Sequence, residues 1–240
     1  MMTSFSKEAL PMTDRIELLS RSMSAAVSAG QAILEVYGTD FAVDIKADKS
    51  PLTLADRRSH EIIMAALEDT GVSILSEEGR EIAYVERAAW DPFFLVDPLD
   101  GTKEFVKRNG EFTVNIALIE ERVPVMGVIY VPVKDWLYFA GQGLGAFKLE
   151  GAKALFGNST ADLSALMEKG IVLPVPKDAG RPYTIVGSRS HSNSELEAEI
   201  EKRRQLHGEI DFISAGSSLK LCLVAEGAAD LYPRTGPTME

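Results

Sequence analysis

The spacing of apolar side chains changes character along the chain. Ile16, Leu19, Met23, Val27, Ile33, Leu34 and Tyr37 recur at helical spacings among polar neighbours, which predicts a long amphipathic helix stopped by Gly38. A second helix is predicted after Thr53. Thr53 can cap it, Asp56 stands three residues on, Ile62, Ile63, Ala66 and Leu67 supply an apolar face, and Gly71 ends it. The period then shortens. Apolar runs at 72–75 and 93–96 read as strands, each followed by carboxylates. Over 112–119, Phe112, Val114, Ile116 and Leu118 alternate with Thr113 and Asn115, a half-buried strand pattern. Residues 123–131 and 136–140 read as the next strands, with Gly141, Gly143 and Gly145 as turns. Strands in succession with no helix between them predict an antiparallel sheet covered by the two helices.

From residue 151 the rhythm is strand, small-residue turn, helix. A strand at 183–186, a helix at 194–206, a strand at 210–213, a helix at 219–226 and a strand beginning at Leu231-Tyr232 predict α/β architecture. The expected organisation is an α+β unit over 1–150 joined to an α/β unit over 151–240.

Composition narrows the class. A chain of 240 residues can bury a full core unaided, and 45% hydrophobic with 25% charged residues excludes collagen-like, disordered and coiled-coil classes. With 25 basic against 36 acidic residues the net charge is −11, which disfavours a nucleic-acid polymer or an anionic membrane surface as partner. Cys222 is the one cysteine, and its apolar neighbours Leu221, Leu223 and Val224 make it a core residue. Residues 1–10 carry Ser, Lys and Glu where a signal peptide needs an apolar run. The most apolar stretch, 123–133, is interrupted by Pro124 and Pro132 and is too short for a bilayer core of about 30 Å. These features predict a soluble cytoplasmic protein with no integral membrane segment; a peripheral place at the inner membrane and the oligomeric state stay open.

The strongest chemical signal is Asp97-Pro98-Leu99-Asp100-Gly101-Thr102, directly after Phe93-Phe94-Leu95-Val96. A buried strand that delivers two carboxylates and a hydroxyl into a turn is costly unless a cation waits there. Ser76-Glu77-Glu78 ends the preceding strand in the same way. If the two strands are neighbours, Glu77, Asp97 and Asp100 converge at one sheet edge. The donors are hard oxygens with neither His nor Cys nearby, which favours Mg²⁺ over zinc or copper and fits two-metal hydrolysis of phosphate esters. Taken singly, each feature is more simply a turn or a solvated edge, and Asp56 a capping residue. The combination is what points to a cation.

These residues resemble the first signature of the inositol monophosphatase superfamily of Mg²⁺-dependent, lithium-sensitive phosphatases. Further stretches follow in that family's order: KADKSPLTLAD at 46–56, Ser76-Glu77-Glu78, GEFTVNIALI at 110–119, VGSRSH at 186–191 and GSSLKLCLVAEG at 216–227. Lys103-Glu104-Phe105 and the Lys220 of GSSLK look like its 3'(2'),5'-bisphosphate nucleotidase branch. The resemblance implies a layered αβαβα sandwich and Mg²⁺ held by Glu77, Asp97, Asp100 and the Leu99 carbonyl. Its catalytic set would be Asp56, Glu77 and Thr102, with Thr102 placing the attacking water and Asp56 accepting the Thr102 hydrogen bond. Leu99, Asp100, Gly101 and Thr102 would surround the scissile phosphate. Ser188, Arg189 and His191 would face base and ribose, and Gly216, Lys220 and Arg234 would serve the rest of the substrate, Lys220 at its second phosphate.

The implied reaction converts 3'-phosphoadenosine 5'-phosphate, a small nucleotide bisphosphate, to AMP and phosphate in sulfur assimilation. An inositol or sugar monophosphatase, or a form that binds metal or nucleotide with little turnover, are the alternatives. The family's second motif, a Trp-Asp pair with a further metal-binding Asp, would follow PRTGPTME at 233–240, and Thr235 stands where the branch commonly has an aromatic residue. The expectation is therefore an incomplete C-terminal unit and a metal site short of one carboxylate.

Overall fold

Two helices form first along the chain, and both bury the faces their spacing marks. Helix α1 (Met12–Tyr37) ends at Gly38, and α2 (Leu54–Leu67) starts from a complete capping box. Thr53 Oγ1 accepts from the Ala55 N–H at 3.1 Å, while the Asp56 carboxylate accepts from the Thr53 N–H at 2.7 Å. This computed structural model describes residues 10–45, 51–156, 162–178, 180–188 and 194–234. Arg189 and His191, the 46–50 part of the 46–56 stretch, and residues 235–240 lie outside the described residues.

After the short antiparallel pair β1 (Val43–Ile45) and β2 (Pro51–Thr53) comes the main sheet. Its strands are β3 (Ser73–Ser76), β4 (Phe93–Asp100), β5 (Thr113–Glu120), β6 (Val123–Val131), β7 (Trp136–Gly141), β8 (Gly145–Glu150) and β9 (Ile171–Leu173), side by side in sequence order. Short helices α3 (Tyr84–Arg87), α4 (Thr102–Val106) and α5 (Leu163–Lys169) interrupt the connections. The sheet runs on past residue 150, since α5 returns the chain so that β9 pairs with β8.

The sheet is mixed where the alternating pattern predicted antiparallel pairing throughout. Strands β3 and β4 run parallel, with Ser76 opposite Val96, and the remaining pairs are antiparallel. A parallel pair needs a crossover, and residues 77–92, which include α3, provide it. The row Val96–Ile116–Val128–Phe139–Phe147 crosses the sheet in register and faces α1 and α2 in one apolar core. Each such buried side chain stabilises the fold by roughly 1.5–3 kcal/mol relative to exposure.

The remaining elements are β10 (Tyr183–Ser188), α6 (Ser194–His207), β11 (Ile210–Ala215) and α7 (Leu219–Ala225). β10 and β11 are parallel with α6 between them, and Leu231 adds a parallel bridge to Ile185. A second core joins this unit to the back of the main sheet, with Val131 and Tyr138 packing with Val186, Ala215, Leu219, Cys222 and Ala229. Polar contacts close the same seam. Glu226 accepts from the Tyr138 hydroxyl at 3.0 Å and pairs with the buried Lys148 ammonium, also at 3.0 Å. Burial pushes the Cys222 thiol up to about 12, with Glu226 adding to it, so this cysteine stays a protonated packing residue.

Candidate active site

Strand β4 carries the chemistry because its far end breaks register. Asp97 pairs with Asn115 and Asp100 with Thr113, so the Pro98-Leu99 step bulges between them while Leu99 stays buried. The Leu99 N–H turns back onto Asp97 Oδ1 at 3.2 Å. The parallel ladder from β3 continues one residue, with the Glu77 N–H on the Val96 carbonyl at 3.0 Å, which sets Glu77 level with Asp97 at the carboxyl ends of neighbouring strands. Gly101 follows in the left-handed region at φ 92°, and α4 begins at Thr102. A side chain at Gly101 would be strained by that φ and would meet Ser217 and the Glu111 carbonyl at 3.1 and 3.2 Å.

Thr102 meets α2 here. Its hydroxyl lies 3.2 Å from Asp56 Oδ1 and 3.4 Å from the Leu99 carbonyl. Asp56 is 1% exposed, and its other oxygen accepts from the Thr53 N–H and the Thr53 hydroxyl at 2.7 and 2.6 Å. Burial raises the Asp56 pKa above the ordinary carboxylate value, against the pull of hydrogen bonds from Thr53 and Thr102. Capping and the Thr102 contact are thus served by different oxygens of one carboxylate. Ser59, one turn further along α2, donates to the Pro98 carbonyl at 2.6 Å and ties the helix to the bulge.

The second unit reaches the same place through its turn before α7. The Gly216 N–H donates to Glu111 Oε2 at 2.9 Å, and the Ser218 N–H donates to Asp100 Oδ2 at 2.5 Å. The Ser218 hydroxyl donates to Asn115 Oδ1 at 2.8 Å, which leaves Thr113 Oγ1, also 2.8 Å away, as donor to it. Gly216 admits no side chain, because a Cβ would lie 2.6 Å from Glu104 Cγ and 2.9 Å from the Glu111 carbonyl. Gly216→Ala is therefore expected to destabilise the protein by about 1–3 kcal/mol, as overpacking does. A denaturant titration measures it, and an unchanged midpoint would mean the turn has room.

Ser188 closes β10 opposite Ala215, level with the Gly216 turn. Arg234 is exposed, with one guanidinium nitrogen 3.4 Å from the Tyr232 hydroxyl. Lys220 is turned inward instead, its ammonium donating to the Ser217 carbonyl at 2.6 Å. Among the described residues no three of His, Cys, Asp and Glu stand together closely enough to hold a metal ion ready-formed. The donor chemistry nevertheless fits a hard divalent cation. Glu77 and Asp97 end adjacent strands, and the Leu99 carbonyl and Asp100 lie on the bulge that follows, all offering oxygen.

Ser59, Glu111, Asn115 and Ser218 were not singled out by sequence reasoning. Only Ser59 gave a local signal, as a polar residue on the helix face shared by Ala55, Asp56 and Ile63. His60 joins them at the edge: its Nδ1 lies 2.9 Å from Ser76 Oγ, and burial holds its pKa below the ordinary histidine value.

A helix-covered mixed sheet, a second α/β layer and carboxylates at parallel strand ends together define a family of layered phosphatases. The chain belongs to the inositol monophosphatase family, whose model matches residues 14–240. It is 44% identical over 228 residues to the 3'(2'),5'-bisphosphate nucleotidase CysQ of Escherichia coli (strain K12), covering 92% of this chain and 82% of that protein. The crystal structure of CysQ from Bacteroides thetaiotaomicron, a bacterial member of the family, matches with a TM-score of 0.84 and 50% identity over 94% of this chain and 82% of that one. The extragenic suppressor protein suhB from Bartonella henselae follows at TM-score 0.66 and 27% identity, over 90% of this chain and 77% of that one. The family is generally metal-dependent. Among the described residues no helix is long and apolar enough to cross a membrane.

Proposed function

We propose that this protein is a Mg²⁺-dependent 3'(2'),5'-bisphosphate nucleotidase that hydrolyses the 3'-phosphate of 3'-phosphoadenosine 5'-phosphate to give AMP and phosphate. The observation that carries the reading is the Thr102 hydroxyl within reach of the buried Asp56 carboxylate, on the turn that bears Asp97 and Asp100. The substrate class rests on likeness to the CysQ nucleotidases. A cytoplasmic role in recycling the nucleotide by-product of sulfur assimilation belongs to the same reading.

Glu77, Asp97, Asp100 and the Leu99 carbonyl would hold the cation. When bound, it would lower the pKa of the attacking water and stabilise the leaving oxygen. The protein's own groups supply position and proton management. By donating to Asp56, the Thr102 hydroxyl keeps its lone pairs turned outward to accept a hydrogen from water, and Asp56 takes up the developing positive charge along that path. The N–H groups of Gly101 and Thr102 face the scissile phosphate in this reading. Ser188 and Gly216 line the nucleotide side, Lys220 meets the second phosphate with Arg234 as a further phosphate contact, and Arg189 and His191 keep their proposed base and ribose contacts.

The test is phosphate release from 3'-phosphoadenosine 5'-phosphate and from inositol 1-phosphate across a Mg²⁺ titration. The bisphosphate should be preferred by about ten- to a hundredfold, the worth of a charge-assisted phosphate contact. Excess EDTA should abolish turnover, and lithium should inhibit it. Preference for inositol 1-phosphate would replace this reading with the monophosphatase one, and turnover in EDTA would remove the metal from it.

A further inference from the structure

Helix α2 meets the candidate site at three points. Asp56 Oδ1 lies 3.2 Å from the Thr102 hydroxyl, the Ser59 hydroxyl donates to the Pro98 carbonyl at 2.6 Å, and His60 Nδ1 lies 2.9 Å from Ser76 Oγ. Positions i, i+3 and i+4 share one face of a helix, so these contacts fall in a patch about one turn long. The first two reach the end of β4 and the start of α4, and the third reaches the end of β3. Ser76 is also the residue before Glu77. Its carbonyl accepts from the Gly79 N–H at 3.0 Å, which makes Glu77 and Glu78 the central pair of a tight turn. A serine that opens such a turn commonly bonds its hydroxyl to the backbone two residues on. Here the hydroxyl meets the imidazole, so the turn is anchored to α2 as well as to itself. The Glu77 N–H on the Val96 carbonyl, at 3.0 Å, adds an anchor to β4.

We propose that His60 is a positioning residue for the cation site: through the Ser76 hydroxyl it fixes the Glu77 turn against α2, the helix whose Asp56 and Ser59 hold Thr102 and the β4 bulge. The proposal rests on the reading of Glu77 as a cation ligand. One helix thereby sets the end of β3 relative to the bulge of β4, at the point where their mutual backbone pairing gives way to turns. A carboxylate on a tight turn moves with that turn, and Mg²⁺ demands near-octahedral placement of its oxygens. Without the imidazole, Ser76 returns its hydroxyl to the turn, and Glu77 loses its fixed place relative to Asp97.

The test measures cation binding directly. Mn²⁺ is the probe, because it shares the preference of Mg²⁺ for octahedral oxygen ligands and its free ion is counted by electron paramagnetic resonance. The variants are His60→Leu, His60→Asn, Ser76→Ala and the double variant His60→Leu/Ser76→Ala. Leucine fills the space of the ring and is the better helix former, so the denaturant midpoint should not fall. Mn²⁺ affinity should nevertheless drop by about tenfold, the lower end of what losing the group that orients a metal ligand costs. Asparagine places an amide atom where Nδ1 stands, and should restore affinity to within about threefold of wild type. Ser76→Ala should lose as much as His60→Leu, and the double variant no more than either, since partners in one bond do not act additively. The His60 Nδ1 resonance in a nitrogen NMR spectrum should move in Ser76→Ala. Glu77→Gln separates the proposal from the reading beneath it. That change should itself weaken Mn²⁺ binding, and adding His60→Leu should then cause no further loss.

Unchanged Mn²⁺ affinity in His60→Leu would overturn the proposal. So would a loss that tracks a falling denaturant midpoint, or one that persists in full in the Glu77→Gln background. Undiminished affinity in Glu77→Gln alone, or no Mn²⁺ binding by wild type, would instead overturn the placing of Glu77 among the cation ligands, on which the proposal depends.

Discussion

Asp100→Asn is expected to cut metal-supported phosphate release by about a thousandfold or more while leaving the protein folded. Asparagine keeps an oxygen to accept the Ser218 N–H, so the junction between α7 and the end of β4 survives. The change removes a negative charge from a site made only of oxygen donors, where the cation's stabilisation of the leaving oxygen is worth several kcal/mol. Each ~1.4 kcal/mol lost is about tenfold in rate. Asp97→Asn should behave alike, because its side chain is held by the Leu99 N–H, which an amide oxygen can also accept. Phosphate release against Mg²⁺ concentration, with circular dichroism as the fold control, measures both. Full turnover in either variant would remove the carboxylates from the mechanism.

The next largest effect is expected for Asp56→Asn, a fall in kcat of about a hundred- to ten-thousandfold, the usual worth of positioned proton transfer. The two donors from Thr53 oblige the asparagine oxygen to face them, which turns its NH₂ group toward Thr102. The Thr102 hydroxyl then accepts where it had donated, and its proton is directed at the water it should orient. α2 should persist, since its capping box keeps both bonds.

The same variant should alter stability with pH in a definite direction. Burial raises the folded-state pKa of Asp56 above its ordinary 3.8. Its contribution to stability is therefore fully present below 3.8 and is lost as pH rises through the raised folded value. Relative to Asp56→Asn, the wild type should lose stability across that window. Paired denaturant titrations from acid to neutral pH measure the difference. A difference that grows in the wild type's favour as pH rises would show that hydrogen bonding outweighs burial at Asp56.

Several elements were legible from local spacing. α1 ends at the Gly38 stop, β6 occupies 123–131 as its pattern predicts, and Thr53 with Asp56 forms the capping box. Such features depend on residues a few positions apart, whose geometry the backbone repeat already determines. β8 and β9 were not legible. Both segments are short, β8 begins at Gly145, which reads as a turn, and their strand character comes from pairing with β7 and with each other. The parallel direction of β3 against β4 was equally hidden, because it depends on how residues 77–92 cross over.

The site divides along the same line. Asp97, Asp100 and the turn that carries them belong to one six-residue stretch and Glu77 to the end of the preceding strand, all oxygen donors by residue type, so the order of the chain by itself determined the chemistry available. Which groups meet was decided by the tertiary structure. Asp56 reaches Thr102 across 46 positions, and the Ser218 N–H reaches Asp100 across 118. Lys220 shows the difference most directly. Its charge and place in GSSLK suggest a phosphate contact, but where that charge stands was decided by the fold, which sets the ammonium 5.5 Å from the Tyr232 ring centroid and 2.6 Å from the Ser217 carbonyl. A side chain's chemistry is written in its residue type, but its direction follows from the shell of distant residues that close around it, and only the folded chain assembles that shell.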